Sequence, residues 1–524
     1  MKTSQLLLTP ALILISFASS KLYAQKTLSL DFDPNIFKEQ SLTLNGKDFK
    51  VRAYEKIAYV KNPVDTNYEI MNIYIPVEYF EGKSINGYMA ATAPIFLPNQ
   101  IGGYMPAKPA STNNNEPFGG MPPLNGKSPM DDKPAEVDKK PVGMTGSMPT
   151  LSGPQRQSAI LVALSKGYVV ACPGARGRTT KDKNGLYTGK APAALIDLKA
   201  AVRFLKYNDA KMPGDANKII SNGTSAGGAM SVLLGATGNN PDYVPYLKVL
   251  GAAETSDNIY AVSAYCPITN LDNADIAYEW QFYGVNTYYR GGPMQNNANS
   301  EPSSLSNDQI SLSKSLNKLF PAYVNNLHLK DKRGTLLKLN DQGNGNFKTL
   351  VKSYIIASAQ KAIDSGTDLS SLAWLTITNG KVLDLDFDAY IRYMQRQKTP
   401  PAFDALDLST PETQEFGTDK IDKQHFTRFS TEHSVVSATR ADEKIVRMMN
   451  PMHYIGTSDT KTSMHWRIRH GSKDKDTGLA IPIILGTYLE NQGYNVDLEL
   501  PWDRPHSGDY DLDDLFKWAD SICK

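Results

Sequence analysis

Cysteine is scarce in this chain of 524 residues, which contains only Cys172, Cys266 and Cys523. A disulfide-stapled scaffold is therefore excluded, and an odd count leaves at least one thiol unpaired. Cys172 and Cys266 both lie in apolar, strand-like runs, which predicts buried and inert thiols. An excess of one charge is also missing, because 56 lysines and arginines balance 54 aspartates and glutamates. With both signs interspersed, this composition disfavours nucleic acid or an anionic membrane surface as the main partner.

Long apolar runs are absent beyond the first two dozen residues. Near the start, Lys2 is followed by a short apolar run over residues 6–15 and by a small residue at Ala24. This order predicts an export signal over residues 1–24, cleaved after Ala24. The run is too short for a transmembrane anchor, which needs about 20 apolar residues, and no cysteine follows it to carry a lipid. We therefore expect a secreted or periplasmic protein that leaves the membrane after cleavage.

The rest of the chain alternates between strand-like and helix-like patterns, with two interruptions. Strand alternation begins at residues 41–80, and the strand–helix alternation that follows the first interruption predicts a mostly parallel sheet covered on both faces. Residues 105–152, rich in Pro, Gly and Met, are the first interruption and predict a long irregular excursion. The second, polar and mainly helical, predicts a lid domain at 271–445, inserted between the two sheet-forming segments 25–270 and 446–524.

Gly223, Ser225 and Gly227 form a Gly-x-Ser-x-Gly pattern at a junction between a predicted strand and a predicted helix. By itself the pattern is weak, and a glycine-rich turn with an uninvolved serine is the alternative. Here a β-branched strand precedes it and a helix of small residues follows. That context is typical of the nucleophile turn of the α/β-hydrolase fold, in which the serine projects at the carboxyl end of the sheet. Ser225 is the predicted nucleophile.

A serine hydroxyl needs a general base and an orienting acid before it attacks a carbonyl. In this fold the acid and then the histidine follow the serine in chain order, each after a later strand. Asp474 and His506 occupy those places. His470 competes as the base, and Asp476 and Asp503 compete as the acid. Asp474 is preferred because it lies three residues after a glycine in the loop, whereas Asp503 shares its loop with His506.

The oxyanion of the tetrahedral intermediate needs two amide donors. One is the N–H of Ala226, directly after the nucleophile, and the other comes from the loop after an earlier core strand. In that loop Gly102 and Gly103 are both candidates, and we assign the role to Gly103. This chemistry requires neither a metal nor an organic cofactor.

The segments around these residues share more than isolated motifs with one known family. They read Gly-Thr-Ser-Ala-Gly-Gly at 223–228 and Tyr-Cys-Pro-Ile-Thr-Asn-Leu-Asp at 265–272, followed by matching stretches at 469–477, 500–503 and 506–510. Together they resemble the bacterial tannases (tannin acyl hydrolases), over most of the chain from about residue 95. Fungal tannases pair cysteines beside the catalytic serine and histidine; Thr224 and Pro505 stand there instead, which excludes that branch.

The resemblance implies a galloyl ester as the substrate, whose acid ring carries three adjacent hydroxyls. It also implies that Lys398, Glu412 and Asp476 hold those hydroxyls, and that Ile268 and Pro411 enclose the ring. Carboxylates accept from phenols and an ammonium donates to a phenolic oxygen, so the residue types suit the ligand. The alternative for the charged residues is an ordinary solvated surface. A feruloyl or general carboxylesterase, a peptidase and a hydrolase-fold binding protein without turnover remain alternative functions.

Overall fold

The computed structural model describes residues 28–112, 158–289 and 301–524. The predicted export signal and most of the predicted excursion, residues 113–152, lie outside the described residues. Thirteen strands are described: β1 (Lys38–Leu44), β2 (Lys47–Ala58), β3 (Ile70–Pro76), β4 (Pro94–Pro98), β5 (Val169–Pro173), β6 (Asp215–Thr224), β7 (Ala261–Tyr265), β8 (Thr287–Tyr288), β9 (Ser303–Ser304), β10 (Leu375–Thr378), β11 (Lys381–Leu385), β12 (His465–Arg469) and β13 (Asn495–Glu499).

Helices connect most of these strands. In α2 the residues Leu195, Leu198, Val202 and Leu205 recur at helical spacing and are fully buried, so this face packs into the core. The α-helices are α1 (Ala159–Ser165), α2 (Ala193–Tyr207), α3 (Ala226–Ala236), α4 (Val244–Leu250), α5 (Leu271–Phe282), α6 (Asn307–Asn317), α7 (Phe320–Asn326), α8 (Asn346–Asp364), α9 (Phe387–Met394), α10 (Pro411–Glu415), α11 (Arg428–Glu432), α12 (Glu443–Met448), α13 (Ala480–Asn491) and α14 (Leu512–Cys523).

Nine of the strands form one sheet, in the order β1-β2-β3-β5-β4-β6-β7-β12-β13. The pairs β1–β2, β2–β3 and β3–β5 are antiparallel, and every pair from β5 to β13 is parallel. All residues of β4, β5 and β7 are buried. Because successive side chains point to opposite faces, both faces of these strands are covered. The predicted mostly parallel, covered sheet is confirmed.

The segment between β7 and β12 carries helices α5 to α12, together with two short antiparallel pairs, β8–β9 and β10–β11. Among the described residues, the two short pairs stand beside eight helices in a segment that was predicted to be mainly helical. β10 and β11 are joined by Asn379 and Gly380, whose φ angles are 52° and 72°. Asn-Gly is the preferred two-residue hairpin turn because both residues accept positive φ. The hairpin signal was therefore present in the sequence.

The carboxyl ends of the parallel strands share one edge of the sheet, so the loops that follow them lie close together. These loops follow β4, β5, β6, β7, β12 and β13. Cys172, Cys266 and Cys523 are all free and buried. The burial of Cys172 and Cys266 agrees with the prediction made for these two thiols. Among the described residues, no helix combines the length and apolar character needed to cross a membrane.

Candidate active site

Ser225 lies in the sharp turn between β6 and α3. Its φ and ψ angles are 62° and −123°, a strained conformation for a residue with a side chain, and its N–H donates to the Tyr265 carbonyl at 2.9 Å. The flanking glycines make this turn possible. A Cβ on Gly223 would lie 2.3 Å from the Gly227 carbonyl oxygen, and one on Gly227 would lie 2.7 Å from the Ile101 carbonyl oxygen. The close packing explains the Gly-x-Ser-x-Gly spacing.

His506 follows β13 and is 3% exposed. Its Nδ1 lies 2.8 Å from Asp474 Oδ2, while its buried Nε2 has no hydrogen-bond partner among the residues described. The loop of His506 packs directly on the turn before Ser225, because a Cβ on Gly508 would lie 1.9 Å from Thr224 Oγ1. One imidazole nitrogen is thus held by a carboxylate, and the loop that carries the ring packs against the turn before Ser225.

The pair formed by Asp474 and His506 is electrostatically coupled. Burial alone would raise the pKa of Asp474, but the neighbouring His506 and His470 overcome it and hold that pKa below its usual range. Burial would likewise lower the pKa of His506, yet Asp474 and Asp476 raise it well above the usual value for histidine. The carboxylate stays ionised and stabilises the imidazolium that proton transfer from a serine would create.

The competing candidates make different contacts. Asp503 is exposed and forms an ion pair with Lys473 at 3.0 Å. His470 is fully buried beside Asp474, its Nδ1 3.7 Å from Asp474 Oδ2, and burial lowers its pKa. Among the three candidate acids, Asp474 is therefore the one whose side chain is hydrogen-bonded to His506.

Cys266, His470 and Asp474 present ligand-type atoms within 4.8 Å of one another, all buried. Zinc accepts such atoms, but Asp474 already accepts from His506 and from the Asp476 N–H at 2.9 Å. The Cys266 thiol donates to the Ser507 carbonyl at 3.3 Å, and burial raises its pKa. Because the thiol stays protonated and both Asp474 oxygens already accept hydrogen bonds, we assign this set to packing around Asp474.

The loop after β4 runs alongside the nucleophile turn. Asn99 Nδ2 donates to the Gly227 carbonyl and to Ser231 Oγ, both at 3.0 Å, which fixes the loop on α3. Ala226 is the first residue of that helix, so its N–H is outside the helical hydrogen-bond ladder. Gly102 is half-buried, and Gly103 is exposed with a φ of 54°. The loop that carries both glycines thus lies beside the nucleophile turn, and the choice of Gly103 over Gly102 stays a prediction.

A second charge cluster surrounds Asp476, two residues beyond Asp474. Lys398 Nζ lies 3.2 Å from Asp476 Oδ1 and 4.0 Å from the centre of the Phe403 ring. Burial would lower the pKa of Lys398, but Asp476 and Glu412 raise it above its usual value. The pKa of Glu412 is raised by burial, and Lys398 partly offsets the rise. The structure thus brings together the three charged residues that were predicted to hold hydroxyls.

Tyr278 of α5 connects Lys398 to the loop that holds both aspartates. The Lys398 N–H donates to Tyr278 Oη at 3.0 Å, and the Tyr278 hydroxyl donates to the Lys475 carbonyl at 3.0 Å. Lys475 stands between Asp474 and Asp476 in the chain. A single buried phenol therefore ties the backbone of Lys398 to the loop that carries the two carboxylates.

The two predicted ring contacts, Ile268 and Pro411, differ in burial and in the segment that carries them. Ile268 is buried beside the nucleophile: its N–H donates to the Ser225 carbonyl at 3.3 Å, and its carbonyl accepts from the Tyr104 hydroxyl at 2.9 Å. Pro411 is exposed and starts α10, immediately before Glu412. Ile268 thus belongs to the catalytic edge of the sheet, and Pro411 to the segment that supplies Glu412.

Sequence reasoning missed two further residues near the site. Arg178, in the loop after β5, donates from its backbone N to the Tyr104 carbonyl at 2.9 Å and from Nε to the Gly103 carbonyl at 2.8 Å. Glu415 is fully buried in α10, one turn from Glu412, and burial raises its pKa to about 8. The sequence did contain a signal for Arg178, because this residue follows a parallel strand whose end lies at the same edge of the sheet as the predicted catalytic residues.

Comparisons with known proteins agree with this geometry. A sequence model of the BD-FAE family matches residues 152–318, which include Ser225. The Fusobacterium nucleatum tannase structure is 47% identical, with a TM-score of 0.83 and coverage of 95% of this chain and 100% of that one. The native tannin acyl hydrolase of Lactobacillus plantarum is 43% identical, with a TM-score of 0.83 and coverage of 94% and 99%.

A tannin acyl hydrolase in complex with ethyl gallate is 42% identical, also with a TM-score of 0.83 and coverage of 94% and 99%. No curated protein matches the chain. The identities with solved structures extend over nearly the whole length of both partners, so they concern the entire enzyme and not one motif. The chain therefore belongs to the bacterial tannase (tannin acyl hydrolase) family and is a carboxylic ester hydrolase with the α/β-hydrolase fold.

Proposed function

We propose that this enzyme hydrolyses galloyl esters, both in hydrolysable tannins and in simple gallate esters, and releases gallic acid. The observation that carries the proposal is the cluster of Lys398, Glu412 and Asp476, in a chain similar to a tannin acyl hydrolase crystallised with ethyl gallate. Two carboxylates and one ammonium suit an aromatic acid with several hydroxyls. One of these carboxylates, Asp476, is only two residues beyond Asp474.

Acylation is the first step of the proposed mechanism. His506 Nε2 takes the proton of the Ser225 hydroxyl as Ser225 Oγ attacks the galloyl carbonyl. Asp474 stabilises the resulting imidazolium through its contact with Nδ1. The N–H groups of Ala226 and Gly103 donate to the oxyanion of the tetrahedral intermediate. When this intermediate collapses, the C–O bond to the alcohol breaks and His506 gives its proton to the leaving oxygen.

Deacylation repeats these roles with water. His506 removes a proton from the water as its oxygen attacks the acyl-enzyme carbonyl, and the second tetrahedral intermediate uses the same two amide donors. Its collapse breaks the bond to Ser225 Oγ, which recovers a proton from His506. Gallic acid leaves and the starting protonation state of the triad returns.

Acyl recognition is proposed to lie in the second cluster. Asp476 and Glu412 accept hydrogen bonds from ring hydroxyls, the Lys398 ammonium donates to a phenolic oxygen, and Ile268 and Pro411 contact the ring faces. A site with buried groups that need these hydroxyls rejects an acid lacking them by roughly 10⁴- to 10⁵-fold, because its own groups would be left unpaired. The predicted 1–24 export signal and the 271–445 lid complete the proposal: an exported enzyme whose inserted segment selects the acid.

Hydrolysis of methyl gallate and of methyl benzoate tests the proposal directly. We expect a kcat/KM for methyl gallate higher by orders of magnitude, and little turnover of methyl ferulate. Comparable values for the benzoate, or a preference for the ferulate, would instead support a general carboxylesterase or a feruloyl esterase. Covalent labelling of Ser225 by a fluorophosphonate distinguishes an esterase from a binding protein without turnover, which would not react.

A further inference from the structure

Arg178 joins two parts of the site that no regular element connects. The first is the loop after β4, to which Arg178 donates twice, from its backbone N to the Tyr104 carbonyl and from Nε to the Gly103 carbonyl. The second is α10, where Arg178 Nη1 donates to Gln414 Oε1. Gln414 stands between Glu412, which faces Lys398, and the buried Glu415.

The surroundings of Arg178 are acidic on the α10 side. Burial lowers the pKa of Arg178, while the charges of Glu412, Glu415 and Asp422 oppose that effect. Neither carboxylate oxygen of Glu415 has a hydrogen-bond partner in the part of the chain that is described. The guanidinium is thus a half-buried cation held among carboxylates, with its directed hydrogen bonds divided between a catalytic loop and a recognition helix.

The loop end of this connection is conformationally demanding. Gly103 and Tyr104 have φ angles of 54° and 58°, and a non-glycine residue such as Tyr104 keeps that backbone only when its surroundings enforce it. Two of the hydrogen bonds that do so come from Arg178, and a third joins the Tyr104 hydroxyl to the Ile268 carbonyl at 2.9 Å. Movement of α10 would therefore be transmitted to the backbone beside Ser225.

We propose that Arg178 is a positioning residue that couples recognition of the acyl ring on α10 to the geometry of the oxyanion loop. The inference rests on the proposed function and deepens it. A ring bound to Glu412 fixes α10, Arg178 carries that constraint to Gly103 and Tyr104, and the amide donors reach their catalytic positions. The correct acid then gains in kcat as well as in KM, as in an induced fit.

Arginine is required by this geometry. Its planar guanidinium carries donors in a rigid fork, so Nε and Nη1 serve two acceptors in different directions at once. Lysine keeps the charge but offers one compact ammonium at the end of a flexible stem, which cannot reproduce both contacts. Arg178→Lys therefore separates the connection from the charge.

The test compares kcat for methyl gallate with kcat for p-nitrophenyl acetate, whose acyl group cannot reach α10. We expect Arg178→Lys to lower kcat for methyl gallate about 10-fold or more, since small misplacements of catalytic groups cost up to about 100-fold, and to lower kcat for the acetate less. A structural defect would reduce both equally. Gln414→Ala should act in the same direction, and the double variant should be no worse than Arg178→Lys alone, because both changes break one connection.

Arg440→Lys is the matched control, because Arg440 forms a surface pair with Glu443 at 3.4 Å; its kcat values should equal those of the wild type. Equal losses on both esters, additive effects of the two changes, or an unchanged kcat for Arg178→Lys would overturn the coupling. Should Arg178→Lys lack a cooperative melting transition, Gln414→Ala alone decides, and an unchanged ratio of the two kcat values refutes the inference. Wild-type enzyme that neither hydrolyses methyl gallate nor labels at Ser225 would refute the proposed function instead.

Discussion

The proposed catalytic residues and the proposed recognition residues come from two differently built regions. Ser225, Asp474 and His506 follow β6, β12 and β13, so hydrogen-bonded parallel strands position them. Lys398 and Glu412 come from the segment between β7 and β12, where the elements around them are short, and their positions depend on side-chain contacts. The two regions meet in the loop after β12, which holds both Asp474 and Asp476.

Because the two regions are built differently, catalysis and selection of the acid can change independently. Strand ends hold catalytic groups to a fixed geometry, and any acyl ester needs that same geometry. In the proposed function, the acid is selected by side chains on a separate segment, which Tyr278 and Arg178 join to the catalytic loops. Changes in the first region should affect all esters alike, whereas changes in the second should discriminate between acids.

The largest effect should come from Ser225→Ala. Removing the nucleophile is expected to lower kcat by roughly 10⁴-fold or more for every ester, because triad members act as a unit. Steady-state hydrolysis of methyl gallate and p-nitrophenyl acetate measures it, with unchanged binding of gallic acid as the control for folding. Substantial remaining turnover of either ester would move the nucleophile elsewhere.

Asp474→Asn should weaken the catalytic region while also changing its pH dependence. The wild-type rate needs neutral His506, whose pKa Asp474 raises, so activity should fall as the pH drops through a value above the usual 6.5 or so for histidine. Without that negative charge the pKa falls and the acid limb moves to lower pH, while the plateau drops by roughly 10⁴-fold. A pH profile of kcat/KM with an unshifted acid limb would contradict the assignment.

Asp476→Asn and Lys398→Met test the recognition region. Each should lower kcat/KM for methyl gallate by roughly 10- to 100-fold, since charge-assisted hydrogen bonds are worth about 1.5–3 kcal/mol. Turnover of p-nitrophenyl acetate should change little. Parallel kinetics on the two esters give the comparison, and equal losses on both would mean that these residues have a structural role only.

The smallest effect is expected at the hairpin of the recognition segment. Gly380 has a φ of 72° and open space around its Cβ position, so Gly380→Ala should cost about 1 kcal/mol of stability through backbone strain alone. Thermal unfolding should show a slightly lower Tm, with unchanged kcat for both esters. A clear loss of galloyl turnover would show that the hairpin contributes to recognition.

Much of the catalytic region could be predicted from sequence, because each element has a local signal. Gly223 and Gly227 identify the turn at Ser225, and chain order suggests Asp474 and His506. The recognition residues have no such signal: Lys398 and Glu412 look like surface charges, and only the resemblance to tannases singled them out. The domain boundaries at 270 and 445 stay predictions.

Contacts between residues far apart in sequence explain what was missed. Arg178 and Gln414 are 236 residues apart, and Tyr278 and Lys475 are 197 apart, so neither pattern nor spacing links them. Asn379 and Gly380 are a different case, since their hairpin signal is local and readable. Sequence thus predicts what strands and turns determine, and it loses what only tertiary packing brings together.

The hydrogen bond from the Asp476 N–H to Asp474 Oδ1 has a consequence for the shape of acceptable acids. This bond restrains the backbone of Asp476 relative to the Asp474 carboxylate. It therefore sets the distance between the carbonyl under attack and the carboxylate that is proposed to accept from the ring hydroxyls. A galloyl group, whose ring is bonded directly to its carbonyl, would match this distance between carbonyl and hydroxyls. Inserting a vinyl spacer, as in a cinnamic acid, would carry the hydroxyls past Asp476 while the carbonyl stays at Ser225.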